Sequence, residues 1–287
     1  MQAVFTREFK SYFQNTTGFI FMGFFLLLSG IFFTLINLLN RSPQYNAVLG
    51  NITFIFLLVV PILTMRLLSE EKRQKTDTLL LTNPVSITGV VLGKYFAALA
   101  VFLLTMLITV VYPIMLSSVG IITVSEIIGG YIGVILLGAS FIAVGLFVSS
   151  LTDNQVIAAV VTFAVLLFLW FLDPVQQIVP AEQVAGIVFL AIVAVGIALF
   201  VYFTIRNIPI AAATLLVGAG IIVLLYFVKD EFYDGLIIKF LQWFSLVTRY
   251  EEFNRGLVSI SPIVYYLSFS ATFIFLTIRV IEKRRWR

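Results

Sequence analysis

Of the chain's 287 residues, 61% are hydrophobic and only 11% are charged, whereas a soluble domain is nearer half apolar and a quarter charged. With so few charges, no water-facing fold covers this much apolar surface, and with neither Cys nor His there are no disulfides, no thiol chemistry and none of the commonest general bases and metal ligands. The composition predicts an all-α integral membrane protein, a polytopic bundle read as one domain over 1–287. It predicts no catalytic site, no metal or cofactor in this chain, and no nucleic-acid partner.

In chain order, the first stretch, MQAVFTREFKSYFQ, places Arg7, Glu8 and Lys10 ahead of the first apolar run. Val4, Phe5, Phe9, Tyr12 and Phe13 share a helical face, with Arg7, Lys10, Ser11 and Gln14 elsewhere. This predicts an amphipathic N-terminal interfacial helix; a basic stub that only anchors topology is the alternative. The run that follows lacks a small-residue cleavage site and is too long for a signal peptide, so it is expected to be a retained span.

A helix crossing about 30 Å of hydrocarbon needs roughly 20 apolar residues. Eight runs qualify, at about 18–39, 50–68, 95–116, 127–148, 156–172, 184–205, 208–228 and 263–281. Lipid tolerates no unpaired backbone and the runs do not alternate, so they are helices rather than strands. Pro61 and Pro113 are expected to kink theirs. Gly129 and Gly133 permit close packing within the chain. Thr152 with Gln155 fits a capping box, and Pro209 fits a helix start.

Thirteen of the 18 Lys and Arg residues fall on one side if the N-terminus is cytoplasmic: Arg7, Lys10, Arg66, Lys72, Arg73, Lys75, Lys94, Arg206, Arg279, Lys283, Arg284, Arg285 and Arg287. The positive-inside rule then places both termini in the cytoplasm. Residues 69–94 become the longest inner loop, and residues 229–262 the longest outer segment. In the outer segment, Lys239, Gln242, Ser245 and Arg249 recur at three or four residues, while Leu236, Ile237, Phe240, Leu241, Phe244 and Val247 fill the other face. This predicts an amphipathic helix in the outer interface, with Trp243 and Tyr250 at a depth that suits them. Two roles are open for it, a lid on the outer helix ends or a surface that touches substrate.

The search for chemistry finds little. GVVLGK at 89–94 has three residues between its glycines where a phosphate loop has four, and Tyr95 stands where Ser or Thr would bind magnesium. Asn15 and Asn51 sit in glycosylation sequons, but such short matches are frequent by chance. Arg66, Asp173, Arg206 and Arg279 fall near span ends, where snorkelling is cheap, so the membrane centres carry no charge. That argues against a proton-coupled carrier or an intramembrane hydrolase. The inner loop is the unusual feature. Glu70, Glu71, Lys72, Arg73, Lys75 and Asp77 crowd ahead of Leu79, Leu80 and Leu81 and a turn at Asn83–Pro84. This suits a short helix docking on another protein, and a solvated cap is the alternative.

RLLSEEKRQKTDTLLLTNPVSITGVVLGKY, residues 66–95, resembles the stretch after the second span in permeases of the second exporter type of ATP-binding-cassette transporters. WFSLVTRYEEFNRGLVSISPIVYYLSFSATFIFLTIRVIEKRRWR, residues 243–287, is similar to the end of that family's gliding-motility-type branch, with its outer helix, f-x-R-G, a span near YY and a terminal RRW. Lys75 departs from the family's usual Gly, and six spans are usual there, so residues 180–230 look like an inserted helical hairpin. The resemblance implies a permease subunit that does no chemistry. It implies a cytoplasmic ABC ATPase partner that holds ATP–Mg and docks on residues 69–82, with Glu70, Glu71, Lys72, Arg73, Thr76, Leu79 and Leu80 as the coupling residues. It implies a second permease subunit, identical or homologous, in a prokaryotic plasma membrane, with lipids around it and room for an extracytoplasmic accessory subunit. Phe240, Trp243, Phe244 and Arg255 mark the outer helix. An exporter of an amphiphilic, lipid-linked, polysaccharide, peptide or drug-like cargo is implied. The alternative is a mechanotransmitter that drives an outer partner without moving cargo.

Overall fold

The computed structural model describes residues 1–75, 86–118, 120–228 and 230–285. Among them there is no strand. The helices are α1 (Gln2–Gln14), α2 (Thr17–Phe33, extended by a π-helical turn over Thr34–Leu38), α3 (Asn46–Thr64), α4 (Ser69–Arg73), α5 (Ile87–Thr109), α6 (Val111–Ser117), α7 (Val124–Leu151), α8 (Gln155–Gln176), α9 (Gln183–Ile205), α10 (Ile208–Val228), α11 (Leu236–Phe244), α12 (Val247–Asn254) and α13 (Ile260–Arg285). Eight of them, α2, α3, α5, α7, α8, α9, α10 and α13, are long and apolar enough to span a membrane. They coincide with the eight apolar runs. The chain divides into two compact units, Met1–Trp170 with Leu246–Arg287, and Phe171–Ser245.

The first unit is organised on α7. Its glycines are seats for neighbouring side chains. A Cβ on Gly138 would lie 2.5 Å from the Phe102 ring, one on Gly130 2.7 Å from Leu49, and one on Gly133 2.5 Å from Phe253 Cβ. Only glycine lets helices approach this closely, and in lipid such packing replaces the hydrophobic drive as the source of association. Gly133 therefore receives α12, whose Tyr250 and Phe253 are buried. Gly256 follows at φ +77° with its Cα against Glu126 and Gly129, which gives the Phe253–Gly256 stretch a packing reason. At that end Asn46 Nδ2 donates to the carbonyls of Glu126 (2.9 Å) and Asn254 (2.5 Å). Midway, the Ser140 and Ser270 hydroxyls lie 3.2 Å apart and join α7 to α13.

Near Pro113 the helical ladder is interrupted between α5 and α6, while Val110 between them keeps a helical conformation (φ −60°, ψ −20°). Pro113 has no N–H to donate to the carbonyl four residues back, and it lies inside α6, so α5 and α6 together make one apolar stretch over Ile87–Ser117. The cap before α8 is Asn154, whose Oδ1 accepts from the Val156 N–H at 2.9 Å; Thr152 instead accepts from Asn154 N at 3.2 Å. The cap therefore lies two residues beyond Thr152, and with Ile157 three residues after it, it is not a capping box.

In the second unit, α9 and α10 form a hairpin. Arg206 closes α9 in the left-handed conformation (φ 54°), and Asn207 Oδ1 accepts from Ile210 N at 3.4 Å to open α10. Gly186 packs on the Tyr233 carbonyl, where a Cβ would sit at 2.4 Å. No residue of α10 is buried; its apolar surface is available to lipid.

The single outer amphipathic helix expected from the sequence is two helices. The chain turns extended at Ser245 (φ −69°, ψ 126°). Ser245, placed on the polar face by its spacing, is fully buried, and its hydroxyl donates to Asp173 Oδ1 at 2.6 Å. Leu246 is also fully buried, and its carbonyl accepts from the Tyr266 hydroxyl at 2.5 Å. Pinning two successive residues this way is incompatible with one straight helix. Phe240, Trp243 and Phe244 belong to α11 and remain largely exposed. Arg255 follows α12, beside Glu251 at 3.8 Å.

Candidate functional site

The charged loop after α3 is held by the rest of the first unit. As α3 ends, the Leu63 carbonyl accepts the Tyr12 hydroxyl of α1 at 2.8 Å. The chain turns and begins α4 on a seat offered by α7, where Ser149 Oγ accepts from the Leu68 and Ser69 N–H groups at 3.0 and 3.1 Å. These are orphan donors of a helix start, and a buried hydroxyl satisfies them. The Ser69 hydroxyl bonds back to the Met65 carbonyl. Arg66 grips Glu70 through two bonds of 2.8 Å each and reaches Thr17 Oγ1 at 2.5 Å, a two-pronged geometry that only Arg offers. The Lys72 ammonium donates to the Ser150 carbonyl of α7.

At the centre is Lys94, in the second turn of α5, only 1% exposed. Its Nζ lies 3.1 Å from Glu8 Oε1 of α1 and 3.0 Å from Glu71 Oε1 of α4. Arg7 closes the cluster, at 2.6 Å from Glu8 and 2.8 Å from Glu71. Two cations and two carboxylates balance, and this balance is what makes a buried ammonium tolerable. Burial alone would lower the pKa of the Arg7 guanidinium, but the hydrogen bonds and charge of Glu8 and then Glu71 outweigh it and hold the pKa above its ordinary value. A polar cavity of about 30 Å³ lies alongside, bordered by Glu8, Tyr12, Thr17, Arg66 and Glu70, with room for about one water.

Gly89 and Gly93 bring α1 to this place. A Cβ on Gly93 would sit 3.0 Å from the Val4 side chain and 3.1 Å from the Met1 carbonyl; one on Gly89 would be 3.6 Å from the Met1 nitrogen. The stretch that resembles a phosphate loop is thus helical packing surface, and its lysine is engaged by two carboxylates. On α1, Val4, Glu8 and Tyr12 make the inward stripe at four-residue spacing. The neighbouring stripe, Phe5, Phe9 and Phe13, forms a ring ladder with centroids 5.9 and 5.2 Å apart. Phe5 and Phe9 border an apolar groove of about 610 Å³ with Leu103, Leu107, Tyr131 and Ile135. The Tyr131 hydroxyl lies 3.1 Å from both Tyr45 and Thr109 hydroxyls.

Of the coupling residues named from the sequence, Glu70, Glu71 and Lys72 are all engaged, Glu70 with Arg66 four residues before it, Glu71 and Lys72 with other elements of the same unit. Arg73 is exposed beside them. Thr76, Leu79 and Leu80 lie outside the described residues. Sequence reasoning missed Glu8 and Lys94 as partners of the loop. The available signal was the pair of glycines one turn apart directly before Lys94, which marks a face that must accept another helix.

By fold, this is a polytopic all-α membrane protein with eight candidate spans and a charged segment anchored between its second and third. Residues 37–174 match the family described as ABC-2 family transporter protein. The match covers just under half of the chain and includes α3, α4, α5, α7 and nearly all of α8, so Glu71 and Lys94 fall inside it and Glu8 outside. It ends before the hairpin and before the C-terminal stretch. No curated protein matches the sequence.

Proposed function

We propose that this chain is the permease subunit of an ATP-driven ABC transporter that exports an amphiphilic cargo, powered by a separate cytoplasmic ATPase docking on residues 69–82. The observation that carries this reading is the ABC-2 family match over 37–174, which contains the charged loop. The anchoring of that loop supports it, because an input surface must be joined stiffly to the helices it moves. Two permease subunits, identical or homologous, make the pathway, with both termini in the cytoplasm and ATP–Mg held by the ATPase. ATP closure drives transport by favouring one permease conformation over another.

Since Glu70, Glu71 and Lys72 are engaged within the chain, docking affinity falls to Leu79, Leu80 and the exposed Arg73. A buried leucine contributes roughly 1.5–3 kcal/mol, and an exposed ion pair less than about 1 kcal/mol. Replacing Leu79 and Leu80 together with Ala is expected to weaken ATPase association more than about a hundredfold, and Arg73→Ala less than about fivefold. Co-purification of the ATPase and ATP-driven transport measure this. Full assembly and transport with both leucines replaced would overturn the docking assignment.

A second reading, a mechanotransmitter acting on an extracytoplasmic partner, is favoured by the compact unit Phe171–Ser245, which lies almost wholly beyond the family match. ATPase stimulation by an outer partner protein, without stimulation by amphiphiles, would select it.

A further inference from the structure

We propose that Lys94 is a positioning residue that clamps the N-terminal helix to the loop after the second span, so that α1, α4 and the head of α5 move as one input element. This rests on the reading of residues 69–82 as the ATPase docking segment. The observations are geometric. Glu8 and Glu71 belong to two short elements 63 positions apart in the chain, and neither element is covalently fixed to the other except through a membrane helix pair. One buried Nζ holds both carboxylates, at 3.1 and 3.0 Å, and Arg7 repeats the bridge from the exposed side, at 2.6 and 2.8 Å. At Gly93, the residue before Lys94, α1 packs on α5 so closely that a Cβ would lie 3.0 Å from the Val4 side chain. Any displacement of α4 either carries Glu8 with it or leaves a buried ammonium short of a counter-charge, a penalty large enough to keep the elements together. The next stripe of α1 carries Phe5 and Phe9 into the wall of the apolar groove beside Leu103 and Tyr131. Motion imposed on the loop is thereby delivered to that wall.

The test begins with the purified chain in nanodiscs, by hydrogen exchange. Lys94→Met is expected to speed exchange of the α1 amides at least tenfold while α7 and α13 keep their protection, and Lys94→Arg is expected to hold α1 near its original rate. Glu71→Gln, which leaves Lys94 its Glu8 partner, serves as the milder variant should Lys94→Met fold poorly; it is expected to give a smaller increase confined to α1 and α4. Unchanged α1 exchange in both Lys94→Met and Glu71→Gln overturns the clamp. The second arm uses the complex purified through a tag on this chain. Lys94→Met is expected to retain the ATPase in normal amount while ATP-driven transport falls at least tenfold. Transport at the unmodified level, with α1 loosened, overturns the transmission role. If no ATPase accompanies the unmodified chain, the permease reading fails instead, and hydrogen exchange alone decides the clamp.

Discussion

Gly145 offers the sharpest perturbation of the joint between the spans and the charged loop. It faces the end of α3, and a Cβ there would lie 2.2 Å from Thr64 Oγ1, 2.7 Å from Thr64 Cβ and 2.9 Å from Thr64 Cγ2. Thr64 cannot move aside. It is fully buried, its hydroxyl donates to the Val60 carbonyl at 2.9 Å, and a β-branched residue in a helix has little rotamer freedom. Restoring ordinary contact at 3.4 Å requires Gly145→Ala to part α3 and α7 by about 1.2 Å. Ser149 stands one turn further on the same face, and its bonds to Leu68 N and Ser69 N, now 3.0 and 3.1 Å, would stretch beyond hydrogen-bonding range. Overpacking costs about 1–3 kcal/mol and the stranded donors about 1–3 kcal/mol, against roughly 1 kcal/mol gained by removing a helical glycine. The expected net loss is about 3 kcal/mol. Denaturation of the micelle-bound chain by SDS titration measures it. Thr64→Ala removes two of the three clashing atoms, so in that background Gly145→Ala is expected to cost only about 1 kcal/mol, a coupling of about 2 kcal/mol. Undiminished stability of Gly145→Ala, or simple additivity of the two substitutions, would refute the steric account.

Phe253→Ala should cost about 3–5 kcal/mol in the same titration, because the ring is fully buried with its Cβ against Gly133; a loss below about 1 kcal/mol would mean α12 is not seated there. For sidedness, single cysteines at Gln44, Asp234 and Glu251 are expected to react with an impermeant thiol reagent added outside intact cells, and one at Asp153 to stay unreactive. Deleting residues 184–228 removes two spans and should leave the Gln44 and Asp153 results unchanged. A reactive Asp153→Cys in either background would invert the assigned topology.

The number, type and approximate limits of the spans were legible in the sequence, because hydropathy over twenty residues is a local property and lipid leaves the backbone no choice but helix. The amphipathic character of α1 was legible for the same reason, and so was the crowding of charge after the second span. The direction in which those charges face was not. Glu70, Glu71 and Lys72 read as a solvent-facing cluster ready for a partner, yet Glu70 pairs with Arg66 one turn before it, and Glu71 and Lys72 find their counterparts on other elements, at Lys94 and the Ser150 carbonyl. Periodicity also misplaced Ser245, since three-to-four spacing assigns a face only if one helix runs unbroken, and a tertiary bond to Asp173 helps break it. Hydropathy thus determined what crosses the membrane. Which charges meet, which glycines receive a neighbour and where α1 is tied down depend on residues brought together from distant parts of the chain, and only the packing of the helices decides them.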